Sequence, residues 1–176
     1  MKIYLASALT HVPKDHFTQY TESLHAIARK LEETDSIEVK YALINSDPQL
    51  SQYPEKDKAR LCYEWDREMV LSSDLIIAEC SFPSTGLGIE VQLAEQHQIP
   101  VIIIFKDFGD NVESKKIYSN PDEKKYELQI GEGIVSLMLL GNPAVLFSRK
   151  YSDYKEVAEI LKDTVIKMPT YNILYK

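Results

Sequence analysis

Short apolar runs alternate along the chain with stretches whose apolar positions recur every three or four residues. Residues 2–7 (KIYLAS) are a short apolar run and predict a first strand. Phe17, Tyr20, Leu24, Ile27, Ala28 and Leu31 then mark one face of an amphipathic helix over 14–32. A second strand is predicted at 37–44 (IEVKYALI). The polar segment NSDPQLSQYPEKD follows, and its prolines and low apolar content make it the candidate lid or specificity loop. Leu61, Cys62, Trp65 and Met69 form the stripe of a helix over 56–72. Residues 74–80 are almost continuously apolar, as in a parallel strand buried on both faces. A helix over 86–97, a strand at 99–105 (IPVIIIF) and a polar, irregular 107–121 come next. The pattern then predicts a helix across about 122–140, a strand at 144–148 (AVLFS) and a closing helix over 152–167.

Five strands alternating with helices imply an α/β fold, a single-domain, doubly wound, flavodoxin- or Rossmann-like parallel sheet with helices on both faces. Repeats, low-complexity tracts and linkers are absent, so residues 1–176 read as one domain. In such sheets ligands bind outside the carboxyl ends of the strands, near the point where strand order reverses. That rule selects the loops ALTHVPKD, NSDPQL and SFPSTGLG, which follow the first three strands.

An apolar fraction of 44% and a charged fraction of 27% fit a soluble globular chain. The net charge of −7 argues against a nucleic-acid polymer as partner, because phosphate affinity comes mostly from Lys and Arg. It leaves room for a small anion held by a few local donors. Cys62 and Cys80 lack metal-ligand spacing and read as reduced thiols of a cytoplasmic protein. His11, His16, His25 and His97 form no metal spacing either, and His11 is the one expected near the cleft. No apolar run approaches the ~18 residues that span a bilayer, and the start of the chain lacks a basic, cleavable leader, so no membrane partner is expected.

The third of these loops carries the densest chemistry. Gly86 and Gly88 open a helix whose free N–H groups face the strand ends, with Ser84 or Thr85 placed to cap it. The dinucleotide fingerprint is absent: this GLG lacks the third glycine and follows the third strand, so a tight strand-to-helix turn is the plainer reading of the pattern alone. Glu90 shares a helical face with Gly86 and Ala94, and the helix dipole favours its ionised form. Asp66 has Cys62, Tyr63, Met69 and Val70 as helical neighbours, with no cation among them, which is costly for an acid without a partner or a task. Two carboxylates converging at the strand ends suit glycosyl chemistry, one attacking the anomeric carbon and the other serving as acid or base. Tyr4 on the first strand is placed to orient Glu90. By spacing alone a surface glutamate, a helix-edge acid and a core tyrosine also fit these positions.

KIYLAS, YEWDREMVLSSDLIIAE and PSTGLGIEVQLAE together resemble the nucleoside 2-deoxyribosyltransferase family, and more closely its branch of 2'-deoxynucleoside 5'-monophosphate N-glycosidases. The likeness is densest over the first ~105 residues, where the Asp66–Glu90 spacing and the S-x-G-x-G-x-E run fit without a gap. It implies cleavage of the N-glycosidic bond of a 2'-deoxyribonucleoside or its 5'-monophosphate, with the sugar passed to another base or to water. Glu90 would be the nucleophile, Asp66 would protonate or hold the base or sugar, and Tyr4 would orient Glu90. Ser84 matches a phosphate-binding serine, with Gly86 and Gly88 letting the sugar approach the backbone. The first loop reads Ser7-Ala8-Leu9-Thr10 where the monophosphate branch has a G-S-x-R-like loop, which leaves Ser7, Thr10, Lys14 or a partner subunit to supply the missing donor. The resemblance further implies no cofactor, a small-molecule nucleoside or nucleotide as substrate, and a homo-oligomer, dimer or larger. The alternatives are a catalytically silent nucleotide-binding or signalling module on the same fold and, more weakly, a flavodoxin-like regulator, against which no phospho-acceptor aspartate follows the third strand.

Overall fold

A computed structural model describes residues 1–168. Its elements in chain order are β1 (Lys2–Ser7), α1 (Lys14–Glu32), β2 (Glu38–Lys40), α2 (Ala42–Asn45), α3 (Asp47–Leu50), α4 (Glu55–Leu71), β3 (Leu75–Glu79), α5 (Thr85–Gln96), β4 (Val101–Lys106), β5 (Ile117–Ser119), β6 (Lys125–Glu127), α6 (Leu137–Leu140), β7 (Val145–Tyr151) and α7 (Tyr154–Lys167). Five strands form one sheet in the order β2-β1-β3-β4-β7, every pair parallel. Strand order reverses between β1 and β3, so the crevice at their carboxyl ends is the expected ligand position.

Alternation along the central strands sorts their side chains into two cores. Ile3, Leu5, Leu75, Ile77, Ile102 and Ile104 pack against α1 and α7. Tyr4, Ala6, Ile76, Ala78, Val101 and Ile103 pack against α4 and α5 on the other face. Both faces of the sheet are therefore covered, which is why β3 reads as an unbroken apolar run ending in one buried acid.

Three expectations are corrected. The second strand is only Glu38–Lys40: the Tyr41 N–H donates to Asn45 Oδ1 at 3.0 Å, and the chain turns helical at Ala42. The segment expected as an irregular lid is largely helical, holding α3 with Pro48 in its first turn and ending where Pro54 precedes α4.

The third correction concerns 122–140, where only Leu137–Leu140 is helical. Ile117–Ser119 and Lys125–Glu127 instead pair as an antiparallel hairpin, with the Tyr118 and Tyr126 rings stacked 5.8 Å apart. Tyr126, Ile130 and Ile134 imitate a helical stripe, but the backbone between them is not helical. Gly133 has φ +80°, its C=O accepts the Glu113 N–H at 2.8 Å, and a Cβ there would lie 2.6 Å from the Glu113 carbonyl oxygen. That close approach needs glycine and excludes a continuous helix.

Candidate active site

Tyr4, in the middle of β1 and 1% exposed, points into the core beneath α5. Its hydroxyl donates to Glu90 Oε1 at 2.8 Å. The other oxygen, Oε2, is buried and has no hydrogen-bond partner; among the described residues no other buried side-chain nitrogen or oxygen is left so. Native proteins seldom leave a buried polar atom unpaired, and those that remain call for an explanation.

Burial outweighs the helix dipole at this position. Desolvation, with a smaller push from the Asp66 charge, raises the Glu90 carboxyl from 4.5 to about 7 even though the Tyr4 hydroxyl pulls the other way. The expectation of a simply ionised carboxylate is corrected accordingly: the group titrates near neutrality. Burial and the Glu90 charge hold the Tyr4 phenol well above its usual range, so it is a neutral donor.

Asp66 comes from α4, and its carboxylate is held by two neutral donors. Ser46 Oγ donates to Oδ1 at 2.8 Å, and Cys62 Sγ lies 3.4 Å from Oδ2. Burial raises Asp66 as well, opposed by these two bonds. The Cys62 thiol is pushed up to about 11, first by burial and then by the Asp66 charge, so it is a protonated donor. Ser46, 1% exposed, was missed by sequence reasoning because it lay inside the segment read as a candidate lid or specificity loop.

Ser84 caps α5, its Oγ accepting the Leu87 N–H at 3.2 Å, so its own proton is free for an outside acceptor. Gly86 and Gly88 have ordinary negative φ; a Cβ on Gly86 would meet only Ser84 Oγ at 3.7 Å, and one on Gly88 nothing within 4 Å. The fold does not need glycine at either place, although each costs about 1 kcal/mol against alanine in a helix.

The structure thus brings Tyr4, Glu90 and Asp66 together, with Ser84, Gly86 and Gly88 at the start of the helix that carries Glu90. Ser7 and Thr10 are not joined to them by any hydrogen bond: Ser7 ends β1 in register with Glu79, and Thr10 is exposed in the following turn. His11 is exposed; His16 is the histidine tied to the loops at the strand ends, 2.8 Å from Asp110 Oδ1 and stacked on Phe82. A hollow of about 330 Å3 lined by Asn45, Gln49, Gln52, Tyr53, Trp65 and Glu68 contains none of the candidate residues. The candidate site is built around the unpaired Glu90 oxygen and not around that hollow. Among the described residues no group of three His, Cys, Asp or Glu could hold a metal ion, and no helix is long and apolar enough to cross a membrane.

A family model for nucleoside 2-deoxyribosyltransferases matches residues 3–121, which takes in every residue of this site. The chain belongs to that family. It is 28% identical over 124 residues to a Methanosarcina barkeri protein named "Putative 2'-deoxynucleoside 5'-phosphate N-hydrolase 1", covering 70% of this chain and 63% of that one. A Methanosarcina mazei protein of the same name is 30% identical over 121 residues, covering 68% and 60%. The matched part thus spans less than two thirds of either relative. Among solved structures, the fold is similar to the CMP N-glycosidase of Clostridium botulinum (TM-score 0.54, 18% identity, 92% and 98% of the two chains). It is also similar to the 2-deoxyribosyltransferase of Bacillus psychrosaccharolyticus (TM-score 0.55, 16% identity, 90% of each chain). These structural likenesses extend the family's α/β architecture beyond residue 121.

Proposed function

We propose that the protein cleaves the N-glycosidic bond of a 2'-deoxyribonucleoside 5'-monophosphate, and more slowly that of the nucleoside, through a glycosyl-enzyme ester on Glu90. The observation that carries this reading is the Glu90 carboxylate at the β1/β3 crevice, one oxygen bonded to Tyr4 and the other buried and free. A lone pair on Oε2 attacks C1' as the bond from C1' to the base nitrogen breaks, and the bonding electrons leave with the base. Asp66, whose protonated form burial favours, is the acid placed to give that nitrogen a proton. Water, or an N–H nitrogen of a second base, then displaces Glu90 from C1', giving its proton to the Asp66 carboxylate, and the Glu90 carboxylate is returned. Two inversions retain the configuration of the sugar.

The preference for a monophosphate rests on the open start of α5, where the free Ser84 proton, the absence of side chains at Gly86 and Gly88 and the positive end of the helix dipole favour an anion. The bond to be broken needs no metal or organic cofactor under this scheme. We carry the homo-oligomer that the family resemblance implies as part of the proposal. Light scattering that finds only monomers removes that part.

The test is to incubate the protein with deoxynucleosides, ribonucleosides and their 5'-monophosphates, with and without a second base, and to identify products chromatographically. Free base from deoxynucleotides supports hydrolysis, and exchange of bases supports transfer. Tight nucleotide binding without turnover assigns the chain to the silent binding modules instead.

A further inference from the structure

On the other face of the sheet from Glu90, the last residue of β3 is a second buried acid, Glu79, 0% exposed. No lysine, arginine or histidine contacts it among the described residues. Its neighbours are donors instead: the Ser81 hydroxyl and the Tyr151 hydroxyl (3.1 Å) bond Oε1, and the Ser81 N–H bonds Oε2 at 3.3 Å. The Tyr20 hydroxyl approaches the same carboxylate more loosely and helps to favour its ionised form against the pull of burial.

The direction of each bond is fixed by what the hydroxyls accept. Ser81 Oγ accepts the Lys106 N–H at 2.7 Å, so its single proton is given to Glu79. The Tyr20 oxygen accepts the Ala8 N–H at 3.2 Å, so its proton also turns toward Glu79. Two further bonds extend the network, as Asn111 Nδ2 donates to the carbonyls of Ser81 and Lys106, each at 2.8 Å. Backbone amides after β1 and at the end of β4 are thus wired through one hydroxyl each to a single carboxylate, which also holds the loop after β3 directly.

We propose that Glu79 is a positioning residue for the cleft: its carboxylate gathers the loops following β1, β3 and β4 and so places Ser7–Thr10 and the Ser84 turn against the substrate. Only the words "against the substrate" rest on the function proposed above. Glu90 and Tyr4 lie on the opposite face of the sheet, so the network acts on binding geometry and leaves their own contact in place.

Glu79→Gln keeps the volume and substitutes a donating NH2 among groups that now donate to the carboxylate. The expected result is a folded protein in which exchange of the Ala8 and Lys106 amides accelerates together by about tenfold or more, the loss expected for one hydrogen bond to a charged group. The Ile77 and Ile103 amides stay as slow as in wild type. With a deoxynucleotide, KM rises about tenfold while kcat stays within about threefold and its pH profile is unmoved. Glu79→Asp, which keeps the charge, restores part of the protection and of KM. Tyr20→Phe, which cuts only one arm, accelerates Ala8 and spares Lys106, and it carries the test if Glu79→Gln does not fold. Uniform acceleration of all amides, unchanged Ala8 and Lys106, or a fall in kcat at constant KM overturns the proposal. If wild type turns over no nucleotide, the functional reading fails while the exchange measurements still decide the role of Glu79.

Discussion

The Tyr4 hydroxyl occupies one oxygen of Glu90 at 2.8 Å and leaves the other buried and unpaired. A residue in the middle of a strand thereby holds one oxygen of a residue on the neighbouring helix and leaves the other without a partner. Desolvation raises that carboxyl to about 7, and the phenol opposes the rise.

Tyr4→Phe should therefore act through Glu90 and not through packing, since the ring is retained. A hydrogen bond to a charged group is worth about 1.5–3 kcal/mol, so kcat/KM should fall by about 10- to 100-fold. In wild type the rising limb of kcat/KM against pH should lie near the value of about 7 given to Glu90, as an apparent constant of the coupled Glu90–Asp66 pair. Without the phenol that limb should move to higher pH. An unmoved limb would separate the tyrosine from the titration of Glu90.

Stability offers a test that needs no substrate. In the folded protein Glu90 holds its proton up to about pH 7, whereas the unfolded chain releases it near 4.5. The unfolded state thus binds fewer protons between these values, and stability falls as pH rises through that window and then levels off. The displacement from 4.5 to about 7 corresponds to at most about 3 kcal/mol. Glu90→Gln removes this penalty, so thermal unfolding at pH 8 should show its Tm above wild type by about 3–8 °C. Near pH 4 the two should melt together. A variant that is no more stable at pH 8 would mean the carboxylate is better solvated than its geometry indicates.

Under the proposed function Asp66 serves the leaving base. Asp66→Asn should slow cleavage of natural bases by about 10²–10⁴-fold, the usual weight of a general acid. A deoxyriboside with an activated leaving group that needs no proton should lose much less, within about tenfold. Equal losses for both would make Asp66 a binding residue. Ser46→Ala, which removes one of the two bonds holding the aspartate, should reproduce the same selectivity in weaker form.

Ser84→Ala tests the preference for phosphate. The substitution also removes a helix cap worth about 0.5–2 kcal/mol, so activity alone is a poor readout. The ratio of kcat/KM for a deoxynucleotide to that for its nucleoside is insensitive to stability and should drop about tenfold or more. A ratio that stays constant would put the phosphate elsewhere.

Much of this site was legible in the sequence because its parts are local. Apolar runs of five to seven residues pointed to buried parallel strands, and the glycine turn after 74–80 with Glu90 behind it followed from strand position alone. What failed was long-range or hidden in turn chemistry. The hairpin at 117–127 and the loop through Gly133 were masked by apolar residues four apart, and Asn45 ended the second strand early by drawing the Tyr41 N–H away from the sheet. Glu79 sat in plain view at the end of DLIIAE, yet its donors Tyr20, Ser81 and Tyr151 are gathered from remote parts of the chain, and no spacing rule connects them. The neutral titration of Glu90 was invisible for the same reason, since burial beneath Tyr4 is a tertiary fact.

The most direct test of the account is to trap the intermediate. The protein is incubated with a mechanism-based 2-fluoro-sugar nucleotide whose leaving base departs faster than water can attack, and its peptides are then weighed. The prediction is a single adduct, one fluorosugar phosphate in mass, on the peptide containing Glu90, absent from Glu90→Gln and lost on incubation with a second base. Turnover of the natural substrate with no labelled Glu90 peptide, or with inverted configuration at C1', contradicts a covalent role for Glu90.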